Sequence, residues 1–202
     1  MTSGGNLSQS RDTRLWKELV KGNDQALGQL MHFHFKALLN YGFKFVKDEA
    51  FVKDCIQEVF IDLWHSRERV VEPGHVKAYL LVSVRRKIAR NRRSMRMADD
   101  SLTPLSEEYA FSIEFSPEWW MIKDETVARK TQVVSEMLDA LPVRQREVIY
   151  LKYYQELSRE EISAMLNITP QTVSNLLQMA YGQLRKRFSP SAISALLVLL
   201  FS

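Results

Sequence analysis

Apolar residues recur with a helical period through much of the chain. In DQALGQLMHFHF (24–35), Leu27, Leu30, Met31 and Phe35 fall on one face, and Asn23 or Asp24 is placed to cap the helix. Gly42 interrupts the pattern only weakly. EAFVKDCIQEVFIDLWH (49–65) is the clearest amphipathic segment, with Val52, Ile56, Val59, Phe60 and Leu63 forming one stripe. SRERVVEPGH (66–75) breaks the period, and Pro73-Gly74 is a turn signal. The spacing then predicts a long helix from about Val76 to Arg93.

Between about Ser94 and Lys123 the period is lost, in a stretch that holds Pro104, Pro117 and several serines and reads as an interdomain linker. Its aromatic residues Tyr109, Phe111, Phe115, Trp119 and Trp120 are unusual in a plain spacer and are expected to dock on a surface. Helical periodicity resumes at about Glu125 and runs to Ala140, after which Leu141-Pro142 opens another helix with proline in the first turn. Ser158 caps a short helix, with Glu161 completing a capping box. Asn167 falls where a tight turn needs a left-handed residue, and Thr169-Pro170 opens a last helix over about 170–187.

Ser158 to Gln178 thus has the build of a helix-turn-helix. Ile162 and Met165/Leu166 of the first helix and Val173 and Leu177 of the second are expected to be buried, with Ser163 at the crossing and Ile168 beneath the turn. The outer face of the second helix would then present Gln171, Thr172, Ser174, Asn175 and Gln178. Amides of Gln and Asn pair bidentately with adenine in the major groove, and hydroxyls of Ser and Thr both donate and accept. Arg185, Lys186 and Arg187 at the far end suit phosphate contact.

Composition and charge narrow the class. Hydrophobic residues make up 46% and charged residues 26% of 202, a globular balance, and the seven glycines and six prolines are too few for a turn-rich all-β fold. One cysteine, Cys55, excludes a disulfide framework and argues against a cysteine-rich zinc site. The opening MTSGGNLSQSRDTR has no apolar core of a secretion signal, and no apolar run is long enough to span a bilayer. A cytoplasmic, all-α protein is expected. Its net charge of +4 conceals an asymmetry: residues 76–97 carry eight basic side chains and no acidic one, whereas residues 98–125 carry eight acidic side chains against Lys123 alone. A basic stripe followed by an acidic stretch suggests a polyanion-binding element beside a segment that avoids that polyanion.

Taken together the chain resembles the small, two-domain extracytoplasmic-function sigma factors of bacteria. DQALGQLMHFHFKALLNYG and DEAFVKDCIQEVFIDLW are similar to sigma region two, and LDALPVRQREVIYLKYYQELSREEISAMLNITPQTVSNLLQMAYGQLRK is similar to sigma region four. The resemblance implies two small helical domains, 11–97 and 125–188, joined by a flexible acidic linker, 98–124, and followed by an apolar tail, 189–202. It implies a subunit that binds core RNA polymerase, opens promoter DNA and has no catalytic activity, cofactor or metal of its own. Asp54, Gln57 and Glu58, spaced to share one exposed helical face, match the family's contact with the polymerase clamp helices. The loop 66–75 and the helix after it match the segments that capture a flipped base and hold the melted non-template strand at the minus-ten element. The residues implied there are Arg69, Lys77, Tyr79, Arg85, Arg86, Lys87 and Arg90. Minus-thirty-five recognition is implied for Gln171, Thr172, Ser174, Asn175, Gln178 and Arg185. Arg86 stands where the family usually has asparagine and Arg90 where aspartate is frequent, so phosphate binding gains at the expense of base choice. Ser174 and Leu176 stand where relatives often carry arginine, which shifts the readout to Asn175 and Gln178. An anti-sigma protein is a further partner that the resemblance allows.

Two other classes are weaker. A helix-turn-helix regulator acting without core polymerase needs a sensing or phosphoacceptor motif in the first half, and none is visible there. An enzyme would have to use His32, His34, His65, His75 or Cys55, but a His-x-His pair on a helix points its two rings apart, so these histidines are expected at helix surfaces. The tail SPSAISALLVLLFS is too short for a membrane anchor and too apolar for water. It is expected to pack on the protein's own helices, with an anti-sigma partner as the second choice.

Overall fold

The computed structural model describes residues 3–98, 111 and 136–188, with side chains left out of the description at 3–7 and 96–98. The linker expected over 98–124, other than Ala98 and Phe111, lies outside the described residues, as do the helix expected before residue 136 and the tail 189–202. The chain divides into two units, Met1–Glu108 and Tyr109–Ser202. Every regular element among the described residues is helical.

The first unit consists of α1 (Ser3–Val20), α2 (Asp24–Gly42), α3 (Glu49–Ser66) and α4 (Val76–Ala98). α2 packs on α1, α3 and α4, and α4 also packs on α1 and α3, so the four enclose one core. α1 contributes Leu15, Trp16 and Leu19, and Trp16 lies edge-on to Tyr79 of α4 with ring centroids 5.1 Å apart. After α1, Gly22 turns the chain with φ +89, a conformation that glycine adopts without strain. Asn23 then caps α2, its side chain accepting from the amides of Gln25 and Ala26 at 3.0 and 3.3 Å. Asp48 caps α3 in the same way from Phe51 N at 3.1 Å, and His75 caps α4 by accepting from Ala78 N at 3.3 Å.

Two expectations for this unit are corrected. The buried seam of α2 is Ala26, Leu30, His34, Leu38 and Tyr41, whereas Leu27, Met31 and Phe35 lie half-buried beside it. The apolar pattern misplaces the seam because it contains a histidine: His34 Nε2 is 2.9 Å from Asp12 Oδ2 of α1, so it is a core residue and not a surface one. α4 also runs to Ala98, five residues past the expected end, because NRRSMRMA contains neither glycine nor proline to stop it.

In the second unit residues 136–139 are helical and bury Met137 and Leu138. Pro142 is the residue before α5 (Val143–Ile149), one position earlier than expected. α5 continues into a π-helical turn, Tyr150–Tyr154, in which Tyr150 is buried and stacks on Tyr154 at 4.9 Å. Phe111 is buried edge-on to Tyr150 at 5.6 Å, and its carbonyl accepts from Arg146 Nη1 at 3.1 Å. Arg146 also reaches Asp139 Oδ1 and the carbonyls of Asp139 and Leu141, each at 3.0 Å. Of the five aromatics expected to dock, Phe111 is described, and it does.

α6 (Arg159–Leu166) and α7 (Pro170–Arg187) complete the unit. Ser158 and Glu161 form the capping box: the Ser158 hydroxyl accepts from Glu161 N at 3.2 Å, and the Glu161 carboxylate accepts from Ser158 N at 2.7 Å. Asn167 takes the left-handed conformation, φ 54 and ψ 48, that ends α6. The Ser163 hydroxyl donates to Ile168 O at 2.6 Å across the turn, and Thr169 caps α7 through Thr172 N at 3.1 Å. α7 buries Val173, Ala180 and Leu184. Leu177, expected in the core, is half-buried at the edge of that seam.

Candidate protein and nucleic-acid interfaces

α3 turns Val52, Cys55, Ile56, Val59, Phe60 and Leu63 inward, which leaves Asp54, Gln57 and Glu58 together on the exposed face. Two residues that the sequence analysis did not single out extend this face by one turn. Ile61, four residues after Gln57, is 53% exposed, and Asp62, four after Glu58, is also exposed. Their spacing was the available signal. An apolar side chain flanked by acids and an amide makes this a surface suited to a protein partner with basic groups.

α4 lies against the edge of that face. Lys87 Nζ is 2.6 Å from Asp62 Oδ2 and 3.3 Å from Glu58 Oε2, and its side chain is only 13% exposed. The hydrogen bond to Asp62, and next that to Glu58, hold the ammonium pKa above its ordinary value despite partial burial. Asn91 donates from Nδ2 to Glu58 Oε2 at 3.2 Å and to Cys55 Sγ at 3.6 Å. Burial, followed by the Glu58 charge, pushes the Cys55 thiol up to about 11.

The residues assigned to the minus-ten element separate into groups. Arg69 is exposed in the loop after α3. Arg86 and Arg90 are exposed one turn apart on α4, with exposed Arg93 continuing the row. Lys77 is half-buried, as is Tyr79 against Trp16. Arg85 is buried, and Lys87 is turned toward α3. A helix that advances 100° per residue cannot present Arg85, Arg86 and Lys87 to one surface.

On α7, Gln171, Thr172, Asn175, Gln178 and Arg185 are exposed, while Ser174 is half-buried and donates its hydroxyl to Pro170 O at 3.2 Å. Gln171 Nε2 donates to Asn175 Oδ1 at 3.0 Å, which links two amides on the outer face. Lys186 and Arg187 are exposed at the end of the helix, and Tyr181 is held through its hydroxyl by Tyr153 of the π-turn. Among the described residues no group of three or more His, Cys, Asp or Glu side chains is arranged to hold a metal ion. No helix among them is long and apolar enough to cross a membrane.

The model of Sigma-70 region 2 matches residues 30–97 and that of Sigma-70, region 4 matches residues 131–184, together more than half of the chain. The ECF RNA polymerase sigma factor SigK of Mycobacterium tuberculosis is 26% identical over 197 residues, covering 92% of this chain and 97% of that one. The chain belongs to the extracytoplasmic-function sigma factors. RNA polymerase sigma factor SigV of Bacillus subtilis is 25% identical over 164 residues, 80% of this sigma factor and 90% of its relative. Two solved structures share the fold. CnrH, in complex with the cytosolic domain of CnrY, superposes with a TM-score of 0.57 at 24% identity, over 86% of this chain and 94% of that one. RpoE of Bartonella quintana, in complex with the anti-sigma factor NepR, gives 0.54 at 18% identity, over 79% and 94%. As a sigma factor the protein is a transcription initiation subunit, and family membership favours that reading over a regulator acting alone.

Proposed function

We propose that α3 docks this sigma factor on core RNA polymerase through Asp54, Gln57 and Glu58, and that α4 and α7 engage promoter DNA at its two recognition elements. The observation that carries the reading is the exposed Asp-x-x-Gln-Glu face over a continuous buried stripe, within the segment matched to sigma region two. Arg69, Lys77, Tyr79, Arg86 and Arg90 hold the melted strand at the minus-ten element, where phosphates attract the guanidinium groups and unpaired bases stack on planar side chains. Arg85, being buried, acts there by supporting α4. α7 lies in the major groove at the minus-thirty-five element, with Gln171, Thr172, Asn175 and Gln178 toward base edges and Arg185 toward phosphate. The protein works in the cytoplasm and catalyses no reaction itself. An anti-sigma protein is its partner in the silent state, a reading supported by the RpoE–NepR complex.

Reversing charge at Asp54 and Glu58, as D54K/E58K, is expected to abolish co-purification with core polymerase while the far-ultraviolet circular dichroism stays that of the parent. Full co-purification of the double variant would remove α3 from the interface.

A further inference from the structure

Lys87 belongs by sequence to the basic stripe of α4, yet it is not placed as its neighbours are. Arg86 and Arg90 are exposed, whereas Lys87 is 13% exposed and its ammonium lies between two carboxylates of α3. A DNA phosphate would have to displace both carboxylates and would meet their negative charge. Asn91, one turn along the same edge of α4, donates to the same Glu58 oxygen that Lys87 approaches. A glutamate on an exposed helix face ordinarily samples many rotamers, and fixing it before binding removes an entropic cost of association.

We propose that Lys87 and Asn91 are positioning residues of the polymerase-binding face: they hold the Glu58 carboxylate at Oε2, so that its other oxygen meets the polymerase in a preset geometry, and Lys87 itself does not contact DNA. The proposal rests on the reading of the α3 face given above. The carboxylates of Glu58 and Asp62 are themselves open to solvent, and ion pairs that water screens add little to folding stability, so the role of this one lies in presentation. It also makes α4 a helix with two tasks, an outer row of arginines for nucleic acid and an inner edge that sets the protein interface.

The test uses full-length protein titrated with core polymerase by fluorescence anisotropy, and the assembled holoenzyme titrated with an oligo-dT single strand over a range of salt. K87M is expected to weaken core binding roughly three- to tenfold, the size of effect that ordering one long side chain produces. N91A should act in the same direction, and K87R should restore most of the loss. In an E58A background, which leaves no side-chain oxygen to be positioned, K87M should have no further effect on core binding, which a merely structural lysine would not reproduce. Oligo-dT affinity and its salt slope should be unchanged in K87M holoenzyme and reduced in R86A holoenzyme. The proposal is overturned if K87M flattens the salt slope as R86A does with core affinity intact, or if its loss adds fully to that of E58A. Undiminished core binding by both E58A and D54A would instead sink the reading of the α3 face, and the proposal with it.

Discussion

Asp12 and His34 form a polar contact inside an otherwise apolar seam. Oδ2 of Asp12 faces His34 Nε2 at 2.9 Å, and Oδ1 accepts from Arg11 Nε and Nη2 at 3.1 and 2.9 Å. Burial raises the Asp12 pKa, but hydrogen bonds and charge from His34 and Arg11 outweigh it and leave the carboxyl below its ordinary 3.8. A carboxyl depressed in the folded state stabilises the protein above its unfolded pKa, and that contribution is lost as pH falls through the folded value. D12N should therefore cost about 1–3 kcal/mol at pH 7, the usual penalty for a buried polar group left without its partner. The difference from the parent should shrink as pH falls below about 4; urea unfolding across that range measures it, and a pH-independent difference would contradict the ionic role. The outer face of α7 makes a comparable residue-scale claim. Asn175→Ala and Gln178→Ala should each weaken use of the minus-thirty-five element by about 1–3 kcal/mol if the amide contact is bidentate. Transcription from promoters with and without that element measures it, and equal activity on both would discard the assignment.

At the scale of elements, the approach of α2 to its neighbours turns on Gly42. A Cβ built there would collide with Val52 Cγ1 of α3 and lie 3.3 Å from Ile88 Cδ1 of α4. G42A is expected to destabilise the first unit by about 1–3 kcal/mol through overpacking, although alanine is the better helix former. V52A should recover part of the loss in the double variant, and thermal melts of the two would show it. Gly42 marks what could be read from the chain and what could not. The caps at Asn23, Ser158 and Thr169 and the left-handed Asn167 were legible because each is settled by chemistry within three or four residues. The stripe of α3 was legible because every apolar position in it is buried. Gly42, His34 and Lys87 were not, because each is defined by a partner on another helix, with Lys87 and Asp62 lying 25 residues apart. The sequence counted Lys87 and Arg85 with the DNA-facing cations because charge is additive along a chain, whereas a helix distributes it around an axis.

For the whole molecule, the two units imply separable defects. Variants of the exposed arginines of α4, R86A/R90A, should still form a closed promoter complex but melt the minus-ten region less, as permanganate footprinting would reveal. Their opening should also fall less steeply with salt, by about one counterion per charge removed. Variants of α7 should fail earlier, at closed-complex formation on promoters that depend on the upstream element. Footprints in which R86A/R90A melts DNA normally would move strand capture away from α4. Cys55 has a further consequence for studying the chain as a whole. It is the one cysteine in the sequence, it is buried, and its thiol is pushed up to about 11, so at neutral pH it exposes almost no thiolate to an alkylating dye. The natural sequence is thereby a background ready for site-directed labelling. Cysteines introduced as S94C on α4 and A164C on α6, both exposed positions, would take a donor and an acceptor fluorophore without Cys55 being removed. Energy transfer between them would then follow the distance between the two units in the free sigma factor, in the holoenzyme and on the promoter.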